Sequence, residues 1–178
     1  MNPDLITIMR AGLNEPVGRE LIQALNDELS AAYPEPGATH FSLSPEEVTG
    51  SRGVFLIIHQ GGVPVGCGAV RRVDQVTGEL KRMYVAPAAR GKGLGRRLIE
   101  ALEAEARSLG MRRLILETGI RQAAAQALYR SRGFETIPHY GEYCLSAKTS
   151  ICLGKNLIQH VSGGSNDKIQ LHRNCCVL

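Results

Sequence analysis

Residues 85–97 read Val85-Ala86-Pro87-Ala88-Ala89-Arg90-Gly91-Lys92-Gly93-Leu94-Gly95-Arg96-Arg97, and what flanks this stretch decides the fold. Before it, Gly78 to Val85 has extended-chain character and stops at Pro87, which cannot extend a ladder. After it, Leu94, Leu98, Leu102 and Ala106 recur every fourth residue, with Arg97, Glu100, Glu103 and Arg107 expected on the surface. This spacing predicts an amphipathic helix. A glycine-rich turn from strand to helix points several backbone N–H groups from the positive helix end, which suits a phosphate or pyrophosphate.

Spacing narrows the ligand. A nucleotide P-loop needs Ser or Thr after its lysine, and Gly93 follows Lys92 instead. The dinucleotide pattern Gly-x-Gly-x-x-Gly fails because Arg96 stands at its third glycine position. What remains is Arg-x-x-Gly-x-Gly, formed by Arg90, Gly93 and Gly95. With Glu79-Leu80-Lys81-Arg82-Met83-Tyr84-Val85 before it and a Leu-rich helix after it, this motif resembles the pyrophosphate loop of the GNAT superfamily of acyl-CoA-dependent N-acetyltransferases. A second segment agrees. Arg112 to Gly119 reads as a strand, and Gln122 to Arg132 as a short helix closed by Gly133. There, Leu128-Tyr129-Arg130-Ser131-Arg132-Gly133-Phe134 resembles the superfamily's Leu-Tyr-x-x-x-Gly-Phe signature.

The resemblance runs from about Leu5 to Leu157 and implies an α/β fold, with a mixed, mostly antiparallel central sheet and helices on both faces. It implies acetyl-CoA as co-substrate, held by Met83, Tyr84, Val85, Arg90, Gly91, Lys92, Gly93, Leu94, Gly95 and Arg96, with Gln122 where many relatives have Asn. It further implies direct acetyl transfer in a ternary complex to a primary amine, of a small molecule or a protein. An alkylammonium has a pKa near about 10, so only about one molecule in a thousand is nucleophilic at neutral pH, and a base must act. Glu79 stands where many relatives place that base; a structural or substrate-charge role, with water as base, is the other reading. Tyr129 is the implied acid for the leaving thiolate, beside packing on the helix face. A bulge in the Met83–Val85 strand would free backbone donors for the thioester oxygen. Tyr33, His40, Phe41, Tyr140 and Tyr143 fall in the segments that build the acceptor cleft in this fold. A catalytically silent acetyl-CoA-binding regulator is the alternative function.

The rest of the chain fits one domain over 1–157. A length of 178 residues with 43% hydrophobic content is ample for one core. The longest aliphatic-aromatic run, Val54 to Ile58, is far too short to span a bilayer, and the N-terminus lacks the layout of a secretory signal, so the expected location is cytoplasmic. The formal charge of +4 is modest; Lys81, Arg82, Arg90, Lys92, Arg96 and Arg97 crowd around the glycine loop, which suits an anionic cofactor better than a nucleic acid, and no nucleic-acid motif accompanies them. Five cysteines, Cys67, Cys144, Cys152, Cys175 and Cys176, show neither metal spacing nor a disulfide framework, and the five histidines are scattered; no metal is expected.

Leu5 to Met9 reads as a strand and Glu15 to Leu29 as a helix. Ala32 to Phe41 reads as a loop, Ser44 to Glu47 as a capped short helix, and 54–59 with 63–73 as a hairpin about Gly61-Gly62. Two final strands are expected near Phe134–Ile137 and Ser150–Leu157. Residues 158–178 form a polar tail whose linker-like start is Val161 to Asp167. Its ending, Cys175-Cys176-Val177-Leu178, matches a prenylation signal as well as an unstructured extension. No second membrane signal accompanies it, and no membrane association is expected. The residues leave the oligomeric state open, and many members of the superfamily pair as homodimers.

Overall fold

The computed structural model describes residues 5–35 and 42–157. The expected tail, 158–178, lies outside them. Seven strands, β1 (Ile6–Arg10), β2 (Gly53–Gln60), β3 (Val63–Arg72), β4 (Thr77–Val85), β5 (Arg113–Gly119), β6 (Glu135–Thr136) and β7 (Ser150–Asn156), form one sheet. Its order is β1-β2-β3-β4-β5-β7-β6. Only β4 and β5 pair in parallel; every other neighbour is antiparallel. Among the described residues three α-helices accompany the sheet: α1 (Pro16–Ala32), α2 (Leu94–Ser108) and α3 (Ala123–Ser131). The expected mixed sheet with helices on both faces is what the chain forms.

The β2–β3 hairpin turns at Gly61 and Gly62, with φ of 59° and 84°. Positive φ at both central residues matches the right-handed twist of the flanking strands, and glycine adopts it at little cost. In β2 both faces are covered. Val54 and Leu56 pack with α2, through Leu98 and Leu102, whereas Phe55 and Ile57 pack with α1, through Leu21 and Leu25. A strand sealed on both sides reads as an unbroken apolar run, as Val54 to Ile58 does.

Three expectations change in detail. Helix α1 continues three residues past Leu29, and Tyr33 becomes its buried C-cap rather than part of a loop. Residues Gly141–Ser146 wind into a 3₁₀ turn that no periodicity announced. Glu103, expected on the surface, is buried at 4% exposure. Lys155 at 2.6 Å and Arg107 at 3.4 Å neutralise it, and without such pairing a buried carboxylate would be costly.

Candidate active site

Strands β4 and β5 pair only from Thr77 with Arg113 to Leu80 with Leu116. Beyond that point they part. The register of β3 on β4 shifts between Cys67 and Ala69, and opposite the shift Arg82 has φ of +58°. A non-glycine residue at positive φ marks a real local distortion, here the expected bulge in β4. Between the parted strands lies a cleft of about 110 Å³, walled by Leu25, Leu29 and Tyr33 of α1, by Lys81 to Met83, by Glu117 to Gly119, and by Tyr129 and Tyr143.

The glycine loop stands where β4 passes into α2. Gly91 and Gly93 have φ of 79° and 75°, and a Cβ on either would meet no atom within 4 Å. Gly93 caps α2, whose first intrahelical bond runs from Arg97 N–H to the Gly93 carbonyl. The N–H groups of Leu94, Gly95 and Arg96 therefore lack intrahelical acceptors and point outward from the positive helix end. Open glycines beside free donors fit a pyrophosphate. Gly95 has a different duty. A Cβ there would come within 2.9 Å of Leu128 Cδ2, so this glycine lets α3 pack on the start of α2. Leu94 is buried with Ile58 and Ala89 beneath the loop.

The side chains around the loop are braces. Arg90 donates to the Val85 carbonyl at 2.8 Å and to both Glu28 oxygens at 2.9 and 2.7 Å, while its guanidinium covers the Tyr84 ring. Lys92 reaches Gln60 at 3.4 Å, and Arg96 pairs with Glu100 at 3.0 Å. Gln122 accepts from Thr118 Oγ1 at 3.0 Å and from the Gly119 N–H at 3.1 Å, fixing the turn into α3 while lining the cleft.

Tyr129 comes up from the opposite side. Its ring packs in the core edge-on to Phe134, and it lines the cleft between the parted strands. Burial first, then the nearby Glu117 charge, push its pKa above the usual phenol range. The hydroxyl is thus a neutral donor at physiological pH.

For Glu79 the sequence left two readings, a base or a structural role. It is 1% exposed and does not line the cleft. Arg71 Nε donates to one oxygen at 2.7 Å; Tyr140 and Tyr143 hydroxyls donate to the other at 3.0 and 2.8 Å. Arg71 also binds Glu47 at 2.6 Å, and Lys81 Nζ donates to the Tyr143 hydroxyl at 2.9 Å. Burial, then the Glu79 charge, raise the pKa of both tyrosines, so both stay protonated as donors. Of the expected acceptor-cleft residues, Tyr33 and Tyr143 line the cleft; Tyr140 stands behind Glu79, and His40 and Phe41 lie outside the described residues.

Sequence reading missed Glu117, and it grouped Lys81 and Arg82 with the basic residues of the glycine loop, whereas both line the cleft. Glu117 lines the cleft and accepts from Ser150 Oγ at 2.6 Å. One signal was available: Glu117 is the only charged residue in Leu114-Ile115-Leu116-Glu117-Thr118-Gly119, at the carboxyl end of a parallel strand, where ligands gather in α/β sheets. Among the described residues, no group of three or more His, Cys, Asp or Glu is placed to hold a metal, and no helix is long and apolar enough to cross a membrane.

A parted parallel strand pair beside a glycine-capped helix defines the class of protein, and comparison with known proteins names it. The model of the acetyltransferase (GNAT) family matches residues 18–134, and the chain belongs to that family. It is 39% identical over 139 residues to an IAA acetyltransferase of Azospirillum brasilense, spanning 78% of this chain and 90% of that one. The crystal structure of a candidate acyl-CoA N-acyltransferase from Klebsiella pneumoniae superposes with a TM-score of 0.73 at 33% identity, covering 86% of this chain and 99% of the other. A GNAT family acetyltransferase from Elizabethkingia anophelis, solved with acetyl-CoA bound, shares the fold at a TM-score of 0.62 and 19% identity, over 85% of this chain and 97% of that one.

Proposed function

We propose that this protein transfers the acetyl group of acetyl-CoA to a primary amine held in the cleft between β4 and β5. The observation that carries this reading is the opening of the β4–β5 ladder after Leu80 and Leu116, with Tyr129 on one side of it and Glu117 in its wall. Acetyl-CoA supplies an activated acyl carbon and a thiol leaving group. The glycine loop would hold the pyrophosphate through the N–H groups of residues 91–96.

Glu117 is the carboxylate that meets the acceptor. It takes one proton from the ammonium, and Ser150 keeps it aimed at the cleft. The freed amine lone pair forms the new C–N bond at the acyl carbon as the C–S bond breaks. Tyr129 gives its proton to the departing sulfur and regains one from the nitrogen, which sheds its second proton as the amide forms; Glu117 passes the first to solvent, so the reaction releases one proton overall. N–H groups that β4 aims toward β5 beyond Leu80 have no strand acceptor there, and they are the donors for the thioester oxygen. Glu79 acts at one remove, holding the Tyr143 hydroxyl at the cleft wall. Isothermal calorimetry with acetyl-CoA, followed by thiol release with a panel of amines, tests the reading. Binding with turnover supports it, and no heat at millimolar acetyl-CoA removes it.

A further inference from the structure

The two positions that would come next in the β4–β5 register are Lys81 and Glu117, and the ladder stops just before them. Opposite charges therefore flank the opening. Each holds a partner of its own: Lys81 Nζ has Tyr143 at 2.9 Å and Glu142 at 3.4 Å, and Glu117 has Ser150 at 2.6 Å. An ammonium carries three donors, so Lys81 retains one beyond those two bonds. Arg82, the bulge residue, brings a second cation to the same wall and is steadied by Asn26 at 2.9 Å. The charged lining of the cleft is thus two cations and one carboxylate.

We propose that the acceptor is a small zwitterion of amino-acid type, its ammonium on Glu117 and its carboxylate on Lys81 and Arg82. The inference rests on the acetyl-transfer reading above and adds the substrate class. Three observations favour it. The cations and the carboxylate stand on opposite strands of one opening, as the two ends of such a molecule require. Lys81 is 5% exposed at its side chain, and its carboxylate partner Glu142 stands 3.4 Å away and is 39% exposed, so a substrate carboxylate would compete for the ammonium in a medium that screens poorly. A polyamine or aminosugar would set further cations against Lys81 and Arg82, which disfavours it.

The test measures thiol release from acetyl-CoA by the full-length protein with the twenty common amino acids. The best acceptor is then compared with its methyl ester and with the amine lacking its carboxylate. The ester has the less basic amine, so a larger share is already neutral at pH 7, and unaided chemistry would favour it. A charge-assisted contact to the carboxylate predicts the reverse: kcat/KM for the free amino acid about ten- to a hundredfold above both analogues. Lys81→Met should shrink that ratio to about threefold or less, mainly by raising KM for the free amino acid. An ester or simple amine turned over as well as the amino acid overturns the proposal, and this comparison needs no variant to fold. Acetyl-CoA binding without turnover of any amino acid also overturns it and leaves the cofactor reading standing. Absence of acetyl-CoA binding defeats the acetyl-transfer reading itself.

Discussion

Tyr129, Glu79 and Glu117 show how a side chain takes its role from its surroundings. Tyr129 packs in the core and lines the cleft, so Tyr129→Phe removes a hydroxyl while leaving the ring's packing. We expect kcat to fall about 10²-fold with the acetyl-CoA Kd nearly unchanged, the lower range for general acid catalysis. Stopped-flow turnover with calorimetry checks both halves. Glu117→Gln should lower kcat by a similar factor and flatten the acid limb of the pH–rate profile, whereas Glu79→Gln should act mostly on stability. Glu79 accepts from Arg71 and two tyrosines, and its amide variant leaves Arg71 facing Glu47 alone. At the loop, Gly93→Ala places a Cβ in open space but at φ of 75°. The left-handed conformation costs about 1–2 kcal/mol for a residue with a side chain. A modest drop in Tm should accompany an acetyl-CoA Kd raised about tenfold or more, as the methyl group stands where a phosphate would approach.

At the scale of elements, the site is made by what β4 stops doing. It pairs with β3 along most of its length but with β5 for four residues only. The bulge at Arg82 turns the strand, and the gap it leaves is what α1, β5 and α3 line. Helix α3 keeps its place through Gly95: the start of α2 has no side chain there, and Leu128 fills the space. Gly95→Val should overpack this contact and cost about 1–3 kcal/mol. Chemical denaturation should show that loss, and adding Leu128→Ala should recover part of it, since the two sites share one contact. Helix α1 closes the other wall. The Tyr33 hydroxyl accepts from the Arg121 N–H at 2.6 Å, and its ring leaves no room for a Cβ at Gly119. Arg121 also pairs with Glu35 just beyond the helix.

Across the whole molecule, five tyrosines hold raised pKa values with burial as the largest cause: Tyr33, Tyr84, Tyr129, Tyr140 and Tyr143. In the unfolded chain they titrate near about 10. Below that pH both states carry the protons, and stability is unaffected. Above it the unfolded chain releases them while the folded one does not, so the contribution is lost as pH rises toward the folded-state values. Thermal unfolding should therefore show Tm falling steeply above pH ~10, and Tyr129→Phe should lessen the slope.

Local spacing alone makes the Arg90–Gly95 turn legible, because a proline-ended strand, open glycines and a four-residue apolar repeat lie within thirty residues of one another. The same holds for the β2–β3 hairpin at Gly61-Gly62 and for Tyr129 ahead of Gly133. Local pattern could not say which carboxylate faces the cleft. Glu79 and Glu117 both sit in strands, and what separates them is the β4–β5 register, the bulge at Arg82, Arg71 facing Glu79 from β3, and Tyr143 arriving from sixty-four residues away. Glu103 was misjudged for the same reason, since its partner Lys155 is fifty-two residues away. The amino-acid order by itself determined the glycine turn from Arg90 to Gly95 and the helix that follows it, which need only near neighbours. Tertiary structure alone decided where charge meets the cleft, because burial and pairing depend on strands that are remote in sequence.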